Sequence, residues 1–310
     1  MQTRKLGTTD LHVSVIGLGT NNFGGRTDRE GSRRVIDAAI DNGINFFDTA
    51  DIYAETRSES ILGEVLGARR DQIVLATKFG KPVLGSPERK RGSHDYIFRA
   101  VDASLTRLRT DRIDLYQQHE PDPETPIEET LGALEDLVQA GKIRYYGASN
   151  FSPAGLRAAQ QAAGKAGYRG FVSSQDEYSL VERSIEAELL PVARAEKLAL
   201  IPFFPLAAGL LTGKYSRGQR PAGSRFGAWT ALGDRYLTER NLALAEQFEA
   251  FARARGHTLL ELAFAWLLAQ DSVPSVIAGA TSAEQIEANA AAGNWQLGAA
   301  DLAAFAALPG

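Results

Sequence analysis

The sequence contains no cysteine and only four histidines among its 310 residues. The absence of cysteine excludes disulfides, thiolate nucleophiles, zinc–thiolate sites and iron–sulfur clusters. The histidines, His12, His94, His119 and His257, are far apart and form neither an H-x-H nor an H-E-x-x-H motif. Because metal-dependent barrel hydrolases need clustered histidines, we predict a chemistry that uses neither a thiol nor a bound metal.

The chain also lacks a long hydrophobic run and a large excess of one charge. Its most apolar stretch, residues 198–211, is only 14 residues long and is interrupted by Pro202 and Pro205, whereas a membrane-spanning helix needs about 20 apolar residues. Residues 1–9 are polar, unlike a secretory signal. The net charge of -4 gives no reason to expect nucleic acid or an anionic membrane as a partner. We therefore expect a cytoplasmic protein that acts on a small molecule or another protein.

Short aliphatic or β-branched runs alternate with segments of helical periodicity along the chain. In one such segment, Ile97, Val101, Leu105 and Leu108 stand three or four residues apart, as in an amphipathic helix. Strict β–α alternation requires a parallel sheet, and eight units close a barrel without edges. We predict an α/β fold, a (β/α)8 TIM barrel, in a single domain over residues 1–310. The predicted strands are residues 15–18, 44–48, 73–77, 113–117, 143–147, 171–174, 198–203 and 275–277.

Several residues predict where helices begin and end. In four places a Ser or Thr stands three residues before a Glu or Gln, as in a capping box. Proline favours the first position of a helix, and glycine favours the left-handed position after its end. The capping pairs are Thr27 with Glu30, Thr125 with Glu128, Thr258 with Glu261, and Ser282 with Gln285; Pro126 is expected to open a helix, and Gly43 and Gly141 to follow helices.

Three segments exceed the eight β–α units. Residues 4–6 and 11–13 predict an N-terminal β-hairpin that plugs the bottom of the barrel. Residues 212–237 are rich in Gly, Arg and aromatic residues without periodicity, which indicates a long functional loop. Residues 238–255 have the pattern of an extra helix.

A doubly wound sheet is the competing architecture, because Gly17, Gly19 and Asn22 nearly reproduce the dinucleotide-binding pattern G-x-G-x-x-G. Asn22 replaces the last glycine, and no acidic residue follows at the expected offset of about 20 residues. The barrel is therefore the better prediction.

Four side chains that can transfer or orient protons follow predicted strands. Active sites of such barrels form at the C-terminal ends of the strands, which brings Asp48, Tyr53, Lys78 and His119 to one cavity. An ammonium group lowers the pKa of a nearby tyrosine, so Lys78 can make Tyr53 an acid, with Asp48 as the carboxylate that a buried lysine needs. His119 can donate a hydrogen bond to a substrate oxygen. Each residue also has a purely structural interpretation, but their coincidence at strand ends favours a proton-transfer site.

Other catalytic motifs are incomplete. Residues 147–151 lack the second glycine of a G-x-S-x-G nucleophile elbow. Residues 209–214 lack the spacing and the hydroxyl residue of a P-loop. The acidic residues of 120–124 suggest a cation, but the two prolines among them favour a solvated connection.

A series of motifs along the whole chain matches one family. They are FDTADIY at 47–53, ATK at 76–78, DLYQQH at 114–119, GKIR at 141–144, GASNF at 147–151, Gln175 with YSL at 178–180, PL at 205–206, GLLTGK at 209–214, and GAT at 279–281 with Gln285 and Asn289. In these motifs the sequence resembles the aldo-keto reductases, which are (β/α)8 barrels that reduce carbonyl groups with NAD(P)H.

The resemblance implies a role for each of the four strand-end residues. Tyr53 would be the general acid in carbonyl reduction and the base in alcohol oxidation. Lys78 would lower the pKa of Tyr53, Asp48 would hold Lys78, and His119 would orient the carbonyl. The substrate would be an aldehyde, a ketone or a sugar-like compound that exchanges a hydride with the nicotinamide.

The resemblance also implies a cofactor site built from strand ends and the loops after them. Ser149, Asn150 and Gln175 would contact the nicotinamide carboxamide, and Phe203 would stack on its ring, where many relatives have tyrosine. The full set of expected cofactor residues is Gly19, Thr20, Asn21, Asp48, Ser149, Asn150, Gln175, Phe203, Pro205, Leu206, Gly209, Leu211, Lys214, Arg225, Gly279, Thr281, Ser282, Gln285 and Asn289.

The choice between NADPH and NADH depends on the adenosine end. One branch of the family has Lys and Arg at the positions of Gly279 and Gln285, which are uncharged here. Relatives with the uncharged pattern often use an arginine from the long loop, so Arg225 is the expected partner of a 2′-phosphate placed near Ser282, at a helix N-terminus. We expect NADP in preference to NAD.

The substrate side is less constrained by motifs. The sequence stops at Gly310 soon after its last predicted helix, and Ala54 replaces the glycine that commonly follows the tyrosine. We expect an open pocket lined by four loop aromatics, Phe23, Phe79, Phe226 and Trp229.

A second functional class fits the same resemblance. The potassium-channel β subunits share the fold and retain the four residues, so the chain can alternatively be a cofactor-binding regulatory subunit. An added N-terminal segment would indicate that class, and we expect none here because the sequence begins at the barrel.

Overall fold

The structure, a computed structural model, describes residues 1–83, 88–215 and 230–308. These ranges contain ten strands, eleven α-helices and three short 3-10 helices, the latter at Gly67–Gln72, Ser184–Glu186 and Ala207–Thr212. The strands are β1 Thr3–Lys5, β2 His12–Ser14, β3 Ile16–Gly19, β4 Phe46–Asp48, β5 Val74–Phe79, β6 Ile113–Gln118, β7 Ile143–Ser149, β8 Ser173–Glu177, β9 Ala199–Phe203 and β10 Val276–Gly279. The helices are α1 Arg29–Asp41, α2 Arg57–Leu66, α3 His94–Leu108, α4 Ile127–Gln139, α5 Pro153–Ala166, α6 Leu189–Ala195, α7 Thr230–Tyr236, α8 Glu239–Arg253, α9 Leu259–Leu268, α10 Ala283–Ala292 and α11 Ala299–Ala306.

Strands β3 to β10 form one parallel sheet in the order β10-β3-β4-β5-β6-β7-β8-β9. The two end strands, β9 and β10, approach each other, so the sheet curls into a nearly closed barrel with the helices outside. This confirms the predicted (β/α)8 barrel and rejects the doubly wound alternative. All eight predicted strands overlap an observed one, with the largest shift at β8, which runs over Ser173–Glu177 instead of 171–174.

The N-terminal hairpin closes the bottom of the barrel, as predicted. Strands β1 and β2 pair antiparallel with Arg4 opposite Val13. Leu6, Leu11 and Val13 then pack against inward-facing residues of the barrel strands, including Phe46 and Leu115, in a cluster separate from the main core. The top of the barrel, where the strands end, is left for the polar side chains.

The helices bury their apolar faces against the outside of the barrel. Ile97, Val101 and Leu108 of α3 are buried and Leu105 is partly buried in this outer core, as the periodicity predicts. Helix α8 confirms the predicted extra helix, and its side-chain cap is Thr238. Across the described residues, no helix combines the length and the apolar character needed to cross a membrane.

One predicted capping box, two glycines after helices and one further N-cap residue are confirmed. Thr258 and Glu261 form the reciprocal capping box at the start of α9. Gly43 and Gly141 have φ values of +74° and +73°, the left-handed conformation that glycine adopts without strain. Ser282 caps α10 through the backbone N–H of Gln285. The side chain of Gln285, however, accepts from Thr281 and does not complete a box.

Two other caps were wrong. Helix α1 begins after Asp28, whose carboxylate accepts from the backbone N–H of Gly31, so Thr27 lies outside the helix. Asp is as good an N-cap as Thr, and its position decides the start. The hydroxyl of Thr125 donates to Asp122, and Pro126 is the cap of α4, with no side-chain hydrogen bond.

The prediction of one long loop over residues 212–237 needs a correction. Residues 216–229 lie outside the described ranges, but the last part forms helix α7, Thr230–Tyr236. Its end is fixed by tertiary contacts, because the Tyr236 hydroxyl and the Arg235 guanidinium both donate to Glu177, after which β8 ends. Seven residues are too few for a periodicity to show in the sequence.

Candidate active site

The structure brings the four predicted proton-transfer residues together at the top of the barrel. Asp48 ends β4, Lys78 lies on β5, His119 follows β6, and Tyr53 comes from the loop after β4. The ammonium nitrogen of Lys78 is 2.6 Å from Asp48 Oδ2 and 3.4 Å from the Tyr53 hydroxyl. The rings of Tyr53 and His119 meet edge to face, with centroids 6.0 Å apart. This is the geometry of a lysine that links a carboxylate to a tyrosine.

Lys78 is fully buried and remains charged. It also donates to the backbone oxygen of Thr49 at 2.9 Å. Burial alone would lower the pKa of Lys78, but the Asp48 carboxylate and the Tyr53 hydroxyl outweigh it and raise the pKa above its ordinary value. The site therefore holds a fixed positive charge beside the Tyr53 oxygen.

Tyr53 departs from the expected pKa. Burial raises the pKa of Tyr53, and the charge of Lys78 lowers it by a smaller amount, while Asp48 and Asp51 raise it further. The net pKa is above the ordinary value, so the expected effect of Lys78 is present but does not dominate. Tyr53 consequently keeps its proton in the free protein, which suits a proton donor.

The loop after Tyr53 has an uncommon backbone conformation. Ala54, Glu55 and Thr56 have φ values of +50°, +56° and +74°. A left-handed conformation costs a non-glycine residue roughly 1–2 kcal/mol. Ala54, at the position where the family resemblance implies a glycine, adopts the conformation that glycine would favour.

His119 is uncharged at physiological pH. Burial, followed by the charges of Lys78 and Lys81, lowers the pKa of His119 to about 2. Its Nδ1 is buried and has no hydrogen-bond partner among the described residues. The main chain is fixed on both sides, because its N–H donates to Phe79 O at 2.8 Å and its oxygen accepts from Asn150 Nδ2 at 2.9 Å. A neutral imidazole in this place can donate a hydrogen bond but carries no acidic proton.

Asp48 has two further partners, one of which sequence reasoning missed. Its Oδ1 accepts from Gln175 Nε2 at 2.9 Å and from Gln117 Nε2 at 3.2 Å. Gln117 was recognised only as part of a motif. The signal that could have revealed it is the period of two along β6, which turns Gln117 to the same inward face as Leu115.

The three residues expected at the nicotinamide carboxamide are neighbours at the end of β7 and in the middle of β8. Ser149 Oγ donates to Gln175 O at 2.8 Å, and Asn150 Nδ2 lies 3.0 Å from Ser149 Oγ. Asn150 is exposed and left-handed, with φ of +60°. Phe203, at the end of the next strand, is half-buried and meets Phe204 edge to face. Amide groups and an aromatic ring thus lie on the adjacent strands β7, β8 and β9 or directly after them.

The turn after β9 carries the residues expected at the pyrophosphate. Pro205 and Leu211 are buried, Leu206 is half-buried, and Lys214 is exposed. Gly209 has a φ of +116° inside the 3-10 helix. Buried Pro205 and Leu211 can therefore approach a ligand only through their backbone, whereas Lys214 can reach it with its side chain.

The residues expected at the adenosine end surround the start of α10. Ser282 caps this helix, Thr281 donates to Gln285 Oε1 through its backbone N–H at 2.9 Å, and Asn289 is buried one turn further on. A Cβ atom at Gly279 would lie 3.3 Å from Asn21 Oδ1. The absence of a side chain at Gly279 keeps this corner open beside a helix N-terminus.

Three expectations about neighbouring residues need correction. Thr20 is fully buried, and its hydroxyl donates to Asp48 O, so it supports the site from behind. Phe23 and Phe79 have no exposed surface and belong to the outer core. They cannot line an open pocket, because their side chains fill the space between barrel and helices. Three further predicted residues, Arg225, Phe226 and Trp229, lie outside the described residues.

The rim from β7 to β10 fits a nicotinamide dinucleotide. It offers, in spatial order, amide groups, an aromatic ring, a glycine-containing turn, and a helix N-terminus that suits a phosphate. In the part of the chain that the structure describes, no group of three His, Asp or Glu residues could hold a metal ion. The chemistry at hand is that of a tyrosine, a lysine and a neutral histidine.

A family comparison agrees with this geometry. The model of the aldo/keto reductase family matches residues 15–308. The chain belongs to the aldo/keto reductase family. Enzymes of this family are oxidoreductases that generally use nicotinamide cofactors, in keeping with the residues found at the rim.

Similar proteins include enzymes and channel-associated proteins. An uncharacterized oxidoreductase of Bacillus subtilis (strain 168), YrpG, is 40% identical over 297 residues, which cover 92% of this chain and 89% of that protein. A probable voltage-gated potassium channel subunit beta of Arabidopsis thaliana is 37% identical, with 93% and 90% covered. L-glyceraldehyde 3-phosphate reductase of Escherichia coli (strain K12) is 34% identical, with 95% and 88% covered.

Proposed function

We propose that this aldo/keto reductase is an NADP(H)-dependent enzyme that reduces aldehydes, ketones or sugar-like carbonyl compounds, with Tyr53 as the proton donor. The observation that carries the proposal is the contact of Lys78 with both Asp48 and Tyr53, beside a neutral His119. The relative named for reduction of an aldehyde, L-glyceraldehyde 3-phosphate, supports a carbonyl substrate.

Each residue has a task in the reduction. When bound, the reduced nicotinamide would supply a hydride to the carbonyl carbon. The carbonyl oxygen then takes the hydroxyl proton of Tyr53, and the product is an alcohol. The ammonium of Lys78 stabilises the tyrosinate left behind, and Asp48 keeps that ammonium charged. His119 donates a hydrogen bond to the substrate oxygen as negative charge develops on it.

The preference for NADP rests on the loop after β9. Gly279 and Gln285 supply no positive charge at the helix N-terminus, so we assign the 2′-phosphate to Arg225. Lys214 would contact the pyrophosphate, which both cofactors share. Binding of NADPH and NADH should therefore respond differently to changes at these two residues.

The deciding experiment compares wild type with Tyr53→Phe in the reduction of 4-nitrobenzaldehyde by NADPH. We expect kcat to fall by about 10²–10⁴, the usual contribution of a general acid. Tyr168→Phe, a half-buried tyrosine next to Gly167, which ends α5, is the matched control and should leave the rate unchanged. Equal rates for wild type and Tyr53→Phe would refute the assignment of Tyr53 as the proton donor.

A regulatory role is the second candidate, because a relative with 37% identity is named as a potassium channel subunit beta. This role predicts cofactor binding without appreciable turnover of any carbonyl compound. A panel of aldehydes, ketones and sugars, assayed in both directions, separates the two. Binding of NADPH with no turnover across the panel would favour the regulatory role.

A further inference from the structure

One buried amide in the barrel interior has no explanation in packing. The inward positions of barrel strands are usually filled by bulky aliphatic residues. Leu115 of β6 follows this rule and packs with the residues of the plugging hairpin. Gln117, two residues further on the same face, is fully buried between Lys78 on β5 and Gly147 on β7.

Only one end of this amide is satisfied. Gln117 Nε2 donates to Asp48 Oδ1, and Gln117 Oε1 is buried without a hydrogen-bond partner among the described residues. The orientation is dictated by chemistry, since an ionised carboxylate can only accept and the amide nitrogen must face it. An unpaired buried oxygen costs free energy that an apolar side chain of similar shape would avoid. Folding stability alone would therefore favour a residue such as methionine at this position.

We propose that Gln117 is a positioning residue of the active site. Its amide holds the Asp48 carboxylate in the orientation that pairs with Lys78, and this role lowers the folding stability. The inference rests on the proposed function, because it assigns Gln117 a task in the proton transfer by Tyr53. Gln117 contacts neither Tyr53 nor His119 by a hydrogen bond and acts only through Asp48.

The geometry gives each oxygen of Asp48 its own partners. Oδ2 pairs with Lys78, and Oδ1 takes the two amides of Gln175 and Gln117. Gln175, in the middle of β8, is one of the residues expected at the nicotinamide carboxamide, whereas Gln117 on β6 is not. Gln117 is thus the amide that holds Asp48 independently of the cofactor.

The effect on catalysis passes through charge. Without the Gln117 N–H, the negative charge of the Asp48 carboxylate is less neutralised, while Lys78 keeps its positive charge. Because Asp48 raises the pKa of Tyr53, that pKa should rise further. Alcohol oxidation needs the tyrosinate, so its rate should rise at higher pH than in wild type. A hydrogen bond to a charged group is worth about one pKa unit, and because this one acts on Tyr53 only through Asp48, we expect a shift of about half a unit at Tyr53.

The test compares Gln117→Met with Gln118→Met. Gln118 is the neighbouring residue on β6, is also buried with an unpaired Oε1, and makes no contact with Asp48, so it is a matched control. Thermal unfolding of the cofactor-free proteins is measured beside the pH profile of alcohol oxidation with NADP. We expect Gln117→Met to unfold at the same or a higher temperature, to lower kcat about tenfold, and to move the rising limb up by about half a pH unit.

The control and the pH profiles separate a failure of the Gln117 role from a failure of the proposed function. Gln118→Met should keep both kcat and the pH limb of wild type. A Gln117→Met protein with the wild-type pH limb would overturn the inference, whether or not its melting temperature falls. If instead Tyr53→Phe keeps wild-type turnover, the proposed function fails first. A Tyr53-dependent enzyme that is indifferent to Gln117→Met refutes only the role of Gln117.

Discussion

The neutral state of His119 leads to a quantitative prediction for stability. The pKa of His119 in the folded protein is about 2, whereas an exposed histidine in the unfolded chain has a pKa of about 6.5. Below pH 6.5 His119 takes up a proton in the unfolded chain but not in the folded protein. Stability from this group is therefore complete above pH 6.5 and is lost as the pH falls towards 2.

The size of the loss follows from the two pKa values. At pH 5.0, about 1.5 units below the pKa of the unfolded state, protonation of the histidine stabilises the unfolded chain by about 2 kcal/mol relative to pH 7.5. The folded pKa lies far below this window, so its exact value does not alter the result. His119→Gln removes the titrating group but retains a side chain that can donate a hydrogen bond.

The assay is urea unfolding at pH 7.5 and pH 5.0, followed by tryptophan fluorescence. Wild type should lose about 2 kcal/mol more than His119→Gln over this interval. His12→Gln is the control, because His12 is exposed on β2, and it should behave as wild type does. All other titrating groups are common to the three proteins and cancel in the comparison. If His119→Gln loses as much stability as wild type, His119 is protonated in the fold and its role as a neutral donor is wrong.

Two more predictions concern burial and cofactor choice. Burial and the nearby charge of Glu59 raise the pKa of Asp51 to about 8. Below about pH 4 the carboxyl is protonated in both states and costs no stability. Between pH 4 and pH 8 it ionises more readily in the unfolded chain, so the folded protein loses stability as the pH rises. Asp51→Asn should raise the free energy of unfolding by about 5 kcal/mol at pH 7.5 and by little at pH 4; an equal gain at both pH values would contradict this. In fluorescence titrations, Arg225→Ala should weaken NADPH binding much more than NADH binding, whereas Lys214→Ala should weaken both alike. Equal losses for Arg225→Ala would remove its assignment to the 2′-phosphate.

Local patterns were sufficient for most of the fold. Two confirmed features depend only on residues that are close in sequence and can therefore be predicted without the structure. They are the hairpin around Arg4 and Val13 and the capping box of Thr258 and Glu261. The failures occurred where two local signals compete. Thr27 has the spacing of a capping box, but Asp28 stands one residue nearer to the helix and takes its place.

The chemical identity of the site residues could also be read from the sequence, but their ionisation could not. The order of strands implies that Asp48, Lys78 and His119 meet at one end of the barrel. Whether the pKa of Tyr53 is raised or lowered depends on two opposing effects, the burial of the ring, which raises it, and the nearby charge of Lys78, which lowers it. Similarly, the prediction that Phe79 lines a pocket failed because a strand-end residue can face either the mouth or the outer core.

Periodicity along one chain is enough to predict the order of strands and helices, the closing of eight β–α units into a barrel, and which side chains stand at the strand ends. The charge states of the site residues and the hydrogen bonds that support them depend on the tertiary structure. Gln117 and Asp48 are 69 positions apart, and Gln175 and Asp48 are 127 apart. Hydrogen bonds and desolvation depend on distances of a few ångströms between such residues, and no pattern along the chain specifies them.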